Sequence, residues 1–127
     1  MPEAPKPTSI QLHSRSRLLE LTYEGGENYS LSCEYLRVYS PSAEVLGHGP
    51  GQEVLQTGKL NVAITAIKPV GNYALQLVFD DGHDTGLYSW RYLYDLCRDQ
   101  KTKWQDYLDR MAKAGANRDP DVQVLKL

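Results

Sequence analysis

The sequence has few residues that stabilise small domains covalently or through a metal. It contains two cysteines among 127 residues, Cys33 and Cys97, and they form no Cys-x-x-Cys pair. They lie far apart in the sequence, and we expect no disulfide between them. The start, MPEAPKPTS, has no apolar core, so we expect a flexible lead-in over residues 1–8 and no secretory signal. Both cysteines are then expected to be reduced thiols.

Long hydrophobic runs and an excess of either charge are also missing. No apolar run approaches the roughly 20 residues that span a bilayer. Lys and Arg number 14 against 16 Asp and Glu, which gives a formal net charge of −2, and the basic residues form no stripe. These features predict a cytoplasmic protein without a membrane or nucleic-acid partner.

Sequence motifs that mark catalytic sites are absent. There is no G-x-S-x-G turn for a nucleophilic serine. No histidine is followed two residues later by an acid, as an iron oxygenase motif requires, because Arg15, Pro50 and Thr85 occupy those positions. The paired acids of the Asp-Asp-Gly segment are first of all turn formers. The residues alone therefore favour a protein that is not an enzyme.

Hydrophobic alternation and turn signals predict an α+β domain. Glu24-Gly25-Gly26-Glu27 separates two alternating runs, which is typical of a β-hairpin. Ser32 is placed to cap a short helix from Cys33 to Val38. Two further β-rich runs follow, and helical spacing resumes from Ser89 to Lys113. We predict a small, mainly antiparallel β-sheet with a short helix after the first hairpin and a C-terminal helical segment, in one domain over residues 9–114 with a loose tail over 115–127.

The long loop between Ser40 and Gly58 concentrates polar residues that have no place in a regular element. If it folds back across the sheet, we expect Arg37, Tyr39, Ser42, Glu44 and His48 to cluster. The candidate binding surface consists of Arg37, Tyr39, Ser42, Glu44, His48, Asp81 and His83. Two interpretations stay open: an internal hydrogen-bond network that fixes the loop, or a recognition surface.

Three blocks of the sequence, LHSRSRLLEL, EYLRVYSPSAEVLGHGPGQ and GNYALQLVFDDGHDTGLYSWRYLY, carry a resemblance. Together they resemble the gamma-butyrobetaine hydroxylase-like N-terminal domain family over about residues 9–96. A related domain precedes the oxygenase domain of gamma-butyrobetaine and trimethyllysine hydroxylases, and another is attached to some iron–sulfur-cluster carrier ATPases. The iron triad of the hydroxylases belongs to a domain that is absent from this sequence.

The resemblance also implies where a zinc site of the hydroxylase type would lie. Its three cysteine positions fall on Ser40, Ser42 and Val45, and its histidine position falls on His83. Hydroxyls are poor zinc ligands and a valine side chain cannot coordinate. We therefore expect no cofactor and no structural zinc, while another metal at His83 stays open.

The favoured hypothesis is a non-catalytic, cytosolic binding or accessory module with a protein partner. The resemblance implies a link to iron or iron–sulfur handling, by analogy only. One alternative is a metal-binding protein that uses His83 with His48, His13 or nearby aspartates. The weaker alternative is a small enzyme whose site is assembled from residues distant in sequence.

Overall fold

The computed structural model describes residues 4–47, 49 and 51–125. The described residues form two three-stranded antiparallel sheets and four helices. In chain order the elements are β1 (Ser9–His13), β2 (Leu18–Thr22), β3 (Asn28–Ser32), α1 (Cys33–Val38), α2 (Ala43–Leu46), β4 (Ile64–Val70), β5 (Ala74–Phe79), β6 (Leu87–Ser89), α3 (Trp90–Arg98) and α4 (Gln100–Ala114). The predicted α+β class and the C-terminal helical segment are confirmed. The strands divide between two antiparallel sheets, whereas the sequence pattern predicted one small antiparallel sheet.

The first sheet has the order β1-β2-β3 and contains the predicted hairpin. Gly25 and Gly26 close its turn with φ of 89° and 91°, a backbone region that side chains disfavour. Strand alternation directs Leu19, Leu21 and Leu31 into the core, where none of the three is exposed to solvent.

The second sheet, in the order β4-β5-β6, positions the histidine of the candidate site. After β5 the chain reverses through Asp80–Gly82, and the amide of Phe79 donates to the carbonyl of His83 at 2.9 Å. This short turn brings His83 back to the end of the sheet.

Helix α1 is held between the other elements by two tyrosines. The hydroxyl of Tyr35 donates to the carbonyl of Leu96 at 2.7 Å, and the hydroxyl of Tyr88 donates to the carbonyl of Leu36 at 2.5 Å. Ser32 caps the helix as predicted, since its hydroxyl accepts from the amide of Tyr35. The end of α1, and the polar loop that follows it, is therefore fixed relative to both sheets.

The segment after Gly115 departs from the loose tail that the sequence predicts. The amides of Gly58 and Leu60 donate to the carbonyls of Asn117 and Arg118 at 3.0 and 2.9 Å. Arg118 also makes two hydrogen bonds, of 2.6 and 2.7 Å, to the carboxylate of Glu34. Glu34 is only 5% exposed, and a buried carboxylate requires a partner, which explains why this part of the tail is held.

No helix among the described residues is long and apolar enough to cross a membrane.

Candidate functional site

The polar loop and the β5 turn meet in a cluster of side chains beneath α2. The hydroxyl of Ser40 lies 2.8 Å from Nε2 of His83, and the hydroxyl of Ser42 lies 3.5 Å from the same nitrogen. On the other side of the imidazole, Nδ1 lies 3.2 Å from a carboxylate oxygen of Glu44. We call Ser40, Ser42, Glu44 and His83 the serine–histidine cluster.

The proton positions in the cluster follow from its chemistry. An ionised carboxylate can only accept, so Nδ1 of His83 carries the proton and donates it to Glu44. Nε2 is then an acceptor for the hydroxyl of Ser40. Burial of the ring, together with the positive charge of Arg37, lowers the pKa of His83, while the charges of Glu44 and Asp81 oppose this shift. The imidazole is therefore neutral at pH 7.

A second group of charges supports the turn beside His83. Asp81 accepts hydrogen bonds from Nε of Arg37 at 2.9 Å and from Nζ of Lys59 at 2.6 Å. Its other oxygen accepts from the backbone amide of His83 at 3.2 Å. Partial burial raises the pKa of Asp81, but these three hydrogen bonds and the charge of Arg37 outweigh it and lower the pKa to about 2. Asp81 is thus ionised at neutral pH and ties the loop, the turn and Lys59 together.

The members of the cluster differ in their access to solvent. A serine, a neutral histidine and an acid in this order resemble a catalytic triad. Here, however, Ser40 is 0% exposed and His83 only 5%, while the side chain of Glu44 is 64% exposed. The backbone of Gly86 covers Ser40, because a Cβ atom at that glycine would lie 2.4 Å from the serine hydroxyl. In this conformation the nucleophile faces the interior and a substrate cannot reach it.

The structure separates the predicted surface residues into buried and exposed groups. Arg37, Ser42 and His83 are buried and engaged with other protein groups. Glu44 extends to solvent, where it also accepts from the hydroxyl of Thr85 at 3.2 Å. Asp81 lies between, with 22% of its side chain exposed. The predicted residues therefore divide into a buried inner layer and an exposed outer layer of the polar loop.

Two other predicted residues, Tyr39 and His13, lie away from the cluster in the described structure. The hydroxyl of Tyr39 donates to the carbonyl of Lys103 at 2.6 Å, which places that ring against α4. His13 is exposed on β1 and lies 2.8 Å from Glu20. His48 falls outside the described residues.

The side chains around His83 determine how a metal would fit. Ser40 and Ser42 both face Nε2 of His83, and Val45 is buried at 4% exposure close by in sequence. The first two positions thus converge on the histidine as the resemblance implies. Within the described part of the chain there is no group of three or more His, Cys, Asp or Glu residues that is placed to hold a metal ion. Metal binding at His83 stays a prediction.

Sequence reasoning missed the supporting residues Lys59, Thr85 and Gly86. Each lies in a segment that reads as an ordinary turn or loop, and each acts only through contacts that the fold creates. The pairing of Ser40 with His83 had one sequence signal, the alignment on the hydroxylase zinc positions.

Two three-stranded sheets and a polar loop with a buried inner layer define a small α+β domain. The family model described as "Gamma-butyrobetaine hydroxylase-like, N-terminal" matches residues 10–94. The chain belongs to this family.

Solved structures agree with the assignment. Two proteins with NMR solution structures are 53% and 54% identical to this chain, with TM-scores of 0.84 and 0.79. The first alignment covers 98% of both chains; the second covers 100% of this chain and 97% of the other. A crystal structure from Acidithiobacillus ferrooxidans ATCC 23270, of a DUF971 family protein with unknown function, is 38% identical with a TM-score of 0.58, over 71% of this chain and 90% of that one. No curated protein matches the chain.

Proposed function

We propose that the protein is a non-catalytic accessory module that binds a protein partner through the exposed outer layer of the polar loop. We call this outer layer the tip surface and define it by Glu44, Leu46 and Val54. The proposal rests on the difference in burial between the inner and outer residues of this loop. Its inner residues are buried and mutually hydrogen bonded, while Leu46 and Val54 are 43% and 52% exposed.

The backbone of the tip surface is held in one shape. The amide of Val54 donates to the carbonyl of Val45 at 2.8 Å, which joins the two sides of the loop. Gly47 has a φ of 74°, and a Cβ atom there would lie 2.1 Å from the carbonyl oxygen of Gln52. Only glycine permits this approach. A loop that is fixed before binding loses little conformational entropy when a partner docks.

The chemistry of the tip surface suits a protein partner. Exposed aliphatic side chains provide apolar contact area, and the neighbouring carboxylate of Glu44 provides a charge that selects the partner. His83 contributes to the tip surface indirectly, because its contacts with Ser42 and Glu44 hold the start of α2 in place. The link to iron or iron–sulfur handling concerns the identity of the partner and rests on family analogy alone.

Site-specific photocrosslinking in the native host tests the proposal. A benzophenone amino acid at Val54 should give one discrete crosslinked product, and Leu46→Asp in the same protein should weaken it. The matched control is the same crosslinker at Tyr73, which is 62% exposed in the turn between β4 and β5. Identical products at both positions, or none at Val54, would count against the tip surface.

A further inference from the structure

A groove on the helical side of the domain, away from the serine–histidine cluster, has the lining of a ligand site. It lies between β3 and the junction of α3 and α4 and encloses about 500 Å³. This volume is within the roughly 300–1,000 Å³ range of small-molecule pockets. The rings of Tyr29 and Trp104 supply its aromatic surface, and Cys97 lies at its buried end.

The aromatic surface is formed before any ligand binds. The ring of Trp104 packs against Tyr35 and Tyr107 with centroid distances of 6.3 and 5.1 Å. The hydroxyl of Tyr29 is fixed by Glu27 at 2.5 Å. Side chains that are already ordered lose little entropy when a ligand stacks on them.

The charged part of the lining is entirely cationic. Among the described residues, Arg98 and Lys101 are the only charged ones that line the groove, and both are exposed. Arg98 uses Nη1 to donate to the hydroxyl of Tyr94, which leaves further donors of its guanidinium for a ligand. Among the described residues Lys101 has no ion-pair partner. The nearby carboxylate of Glu27 is already engaged by the hydroxyls of Tyr29 and Tyr94.

One backbone acceptor on the edge of β3 beside the groove is engaged by α4. The side-chain amide of Gln100 donates to the carbonyl of Ser30 at 3.2 Å. An extended peptide that pairs with this edge would compete with Gln100 for that carbonyl, whereas a small ligand in the groove would not.

We propose that this groove binds a small aromatic carboxylate. The ring of the ligand lies against Trp104 and Tyr29, and its carboxylate is held by Arg98 and Lys101. Charge-assisted hydrogen bonds from these two side chains, combined with aromatic contact area, provide both affinity and selectivity for an anion. This site is separate from the tip surface and does not depend on it.

NMR titration of the isotope-labelled purified protein with 2-naphthoate tests the proposal. The indole N–H signal of Trp104 should shift and saturate. The indole N–H of Trp90 should not move, because it donates to the carbonyl of Asn72 in a different part of the domain. The two tryptophans thus provide an internal control.

The carboxylate requirement is tested with 2-naphthalenemethanol, which has the same ring and no charge. Its Kd should be at least about tenfold higher, which corresponds to about 1.4 kcal/mol. The double variant Arg98→Gln/Lys101→Gln should raise the Kd for naphthoate by a similar factor. The control Lys113→Gln, which replaces an exposed lysine at the end of α4, should leave the Kd for naphthoate unchanged. Equal binding of the two compounds, a parallel shift of Trp90, or no binding of naphthoate up to its solubility limit would each overturn the assignment.

Discussion

The hydroxyl of Ser40 and Nε2 of His83 are 2.8 Å apart, and both side chains are buried. The serine arrives at the end of α1 and the histidine at the end of the β5 turn, 43 residues later. This contact joins the polar loop to the second sheet, and it determines which side chains the loop presents to solvent.

Removal of the serine hydroxyl should destabilise the domain. Ser40→Ala leaves Nε2 of His83 buried without its short hydrogen bond, which costs about 1–3 kcal/mol of unfolding free energy. Urea denaturation measures the change. Ser30→Ala, at an exposed serine of β3, is the matched control and should change stability by less than about 0.5 kcal/mol. Equal effects of the two substitutions would contradict the role of Ser40.

Stability should fall as the solution becomes mildly acidic, and His83 should be responsible for part of the loss. The pKa of His83 is lowered in the folded state, so below pH 6.5 the unfolded chain takes up the proton more readily. The contribution of neutral His83 to stability is fully present above pH 6.5, the pKa of the unfolded state. It is lost as the pH falls toward the lower pKa of His83 in the folded state. The free energy of unfolding, measured by urea denaturation between pH 5 and 7.5, should depend less steeply on pH in His83→Gln than in the wild type. If the pH dependence of the unfolding free energy were the same in the variant, another group would be responsible for the loss of stability between pH 5 and 7.5.

The hairpin, the cap at Ser32 and the helix from Trp90 were predictable because each depends on residues close in sequence. Glycine at positive φ and a serine before a helix act within a few residues. The contacts of Lys59 with Asp81 and of Arg118 with Glu34 span 22 and 84 residues, and no local pattern indicates them. The burial of Ser40 was equally hidden, since it depends on Gly86 and on the packing of two tyrosines.

Replacement of Gly86 tests the cover over Ser40. In Gly86→Ala the new methyl group would lie 2.4 Å from the hydroxyl of Ser40, so the serine or the strand must move. We expect a loss of about 1–3 kcal/mol in unfolding free energy. Gly49→Ala meets no atom within 4 Å and is the control. If Gly86→Ala were as stable as wild type, the Ser40 contact would not be as close as described.

The pair of Glu34 and Arg118 should hold the segment after Gly115 on the domain. Arg118→Ala leaves the buried carboxylate of Glu34 with only the hydroxyl of Tyr107, which lies 3.1 Å away. We expect the free energy of unfolding to fall by about 1–3 kcal/mol. Amide hydrogen exchange should also accelerate at Gly58 and Leu60, which donate to this segment.

Arg91→Ala removes an exposed arginine from α3 and is the control for that experiment. It should leave exchange at Gly58 and Leu60 unchanged. If both amides were equally protected in Arg118→Ala and wild type, the segment would be held by other contacts.

A buried nucleophile should not react with a serine-directed reagent. The native protein, incubated with a fluorophosphonate probe, should show no label at Ser40, because Gly86 covers its hydroxyl. Mass spectrometry of the digested protein measures this directly. Labelling at Ser40 that disappears in His83→Gln would instead indicate an accessible and activated serine.

Hydrogen bonds around a neutral His83 are proposed to fix the loop that carries the tip surface, so the protonation state of this imidazole is the most direct test. Nitrogen-15 NMR of the imidazole, recorded between pH 5 and 8, reports which ring nitrogen carries the proton and where the ring titrates. We expect a proton on Nδ1, an unprotonated Nε2 and a titration midpoint below 6.5. A proton on Nε2, or a midpoint at or above 6.5, would contradict it.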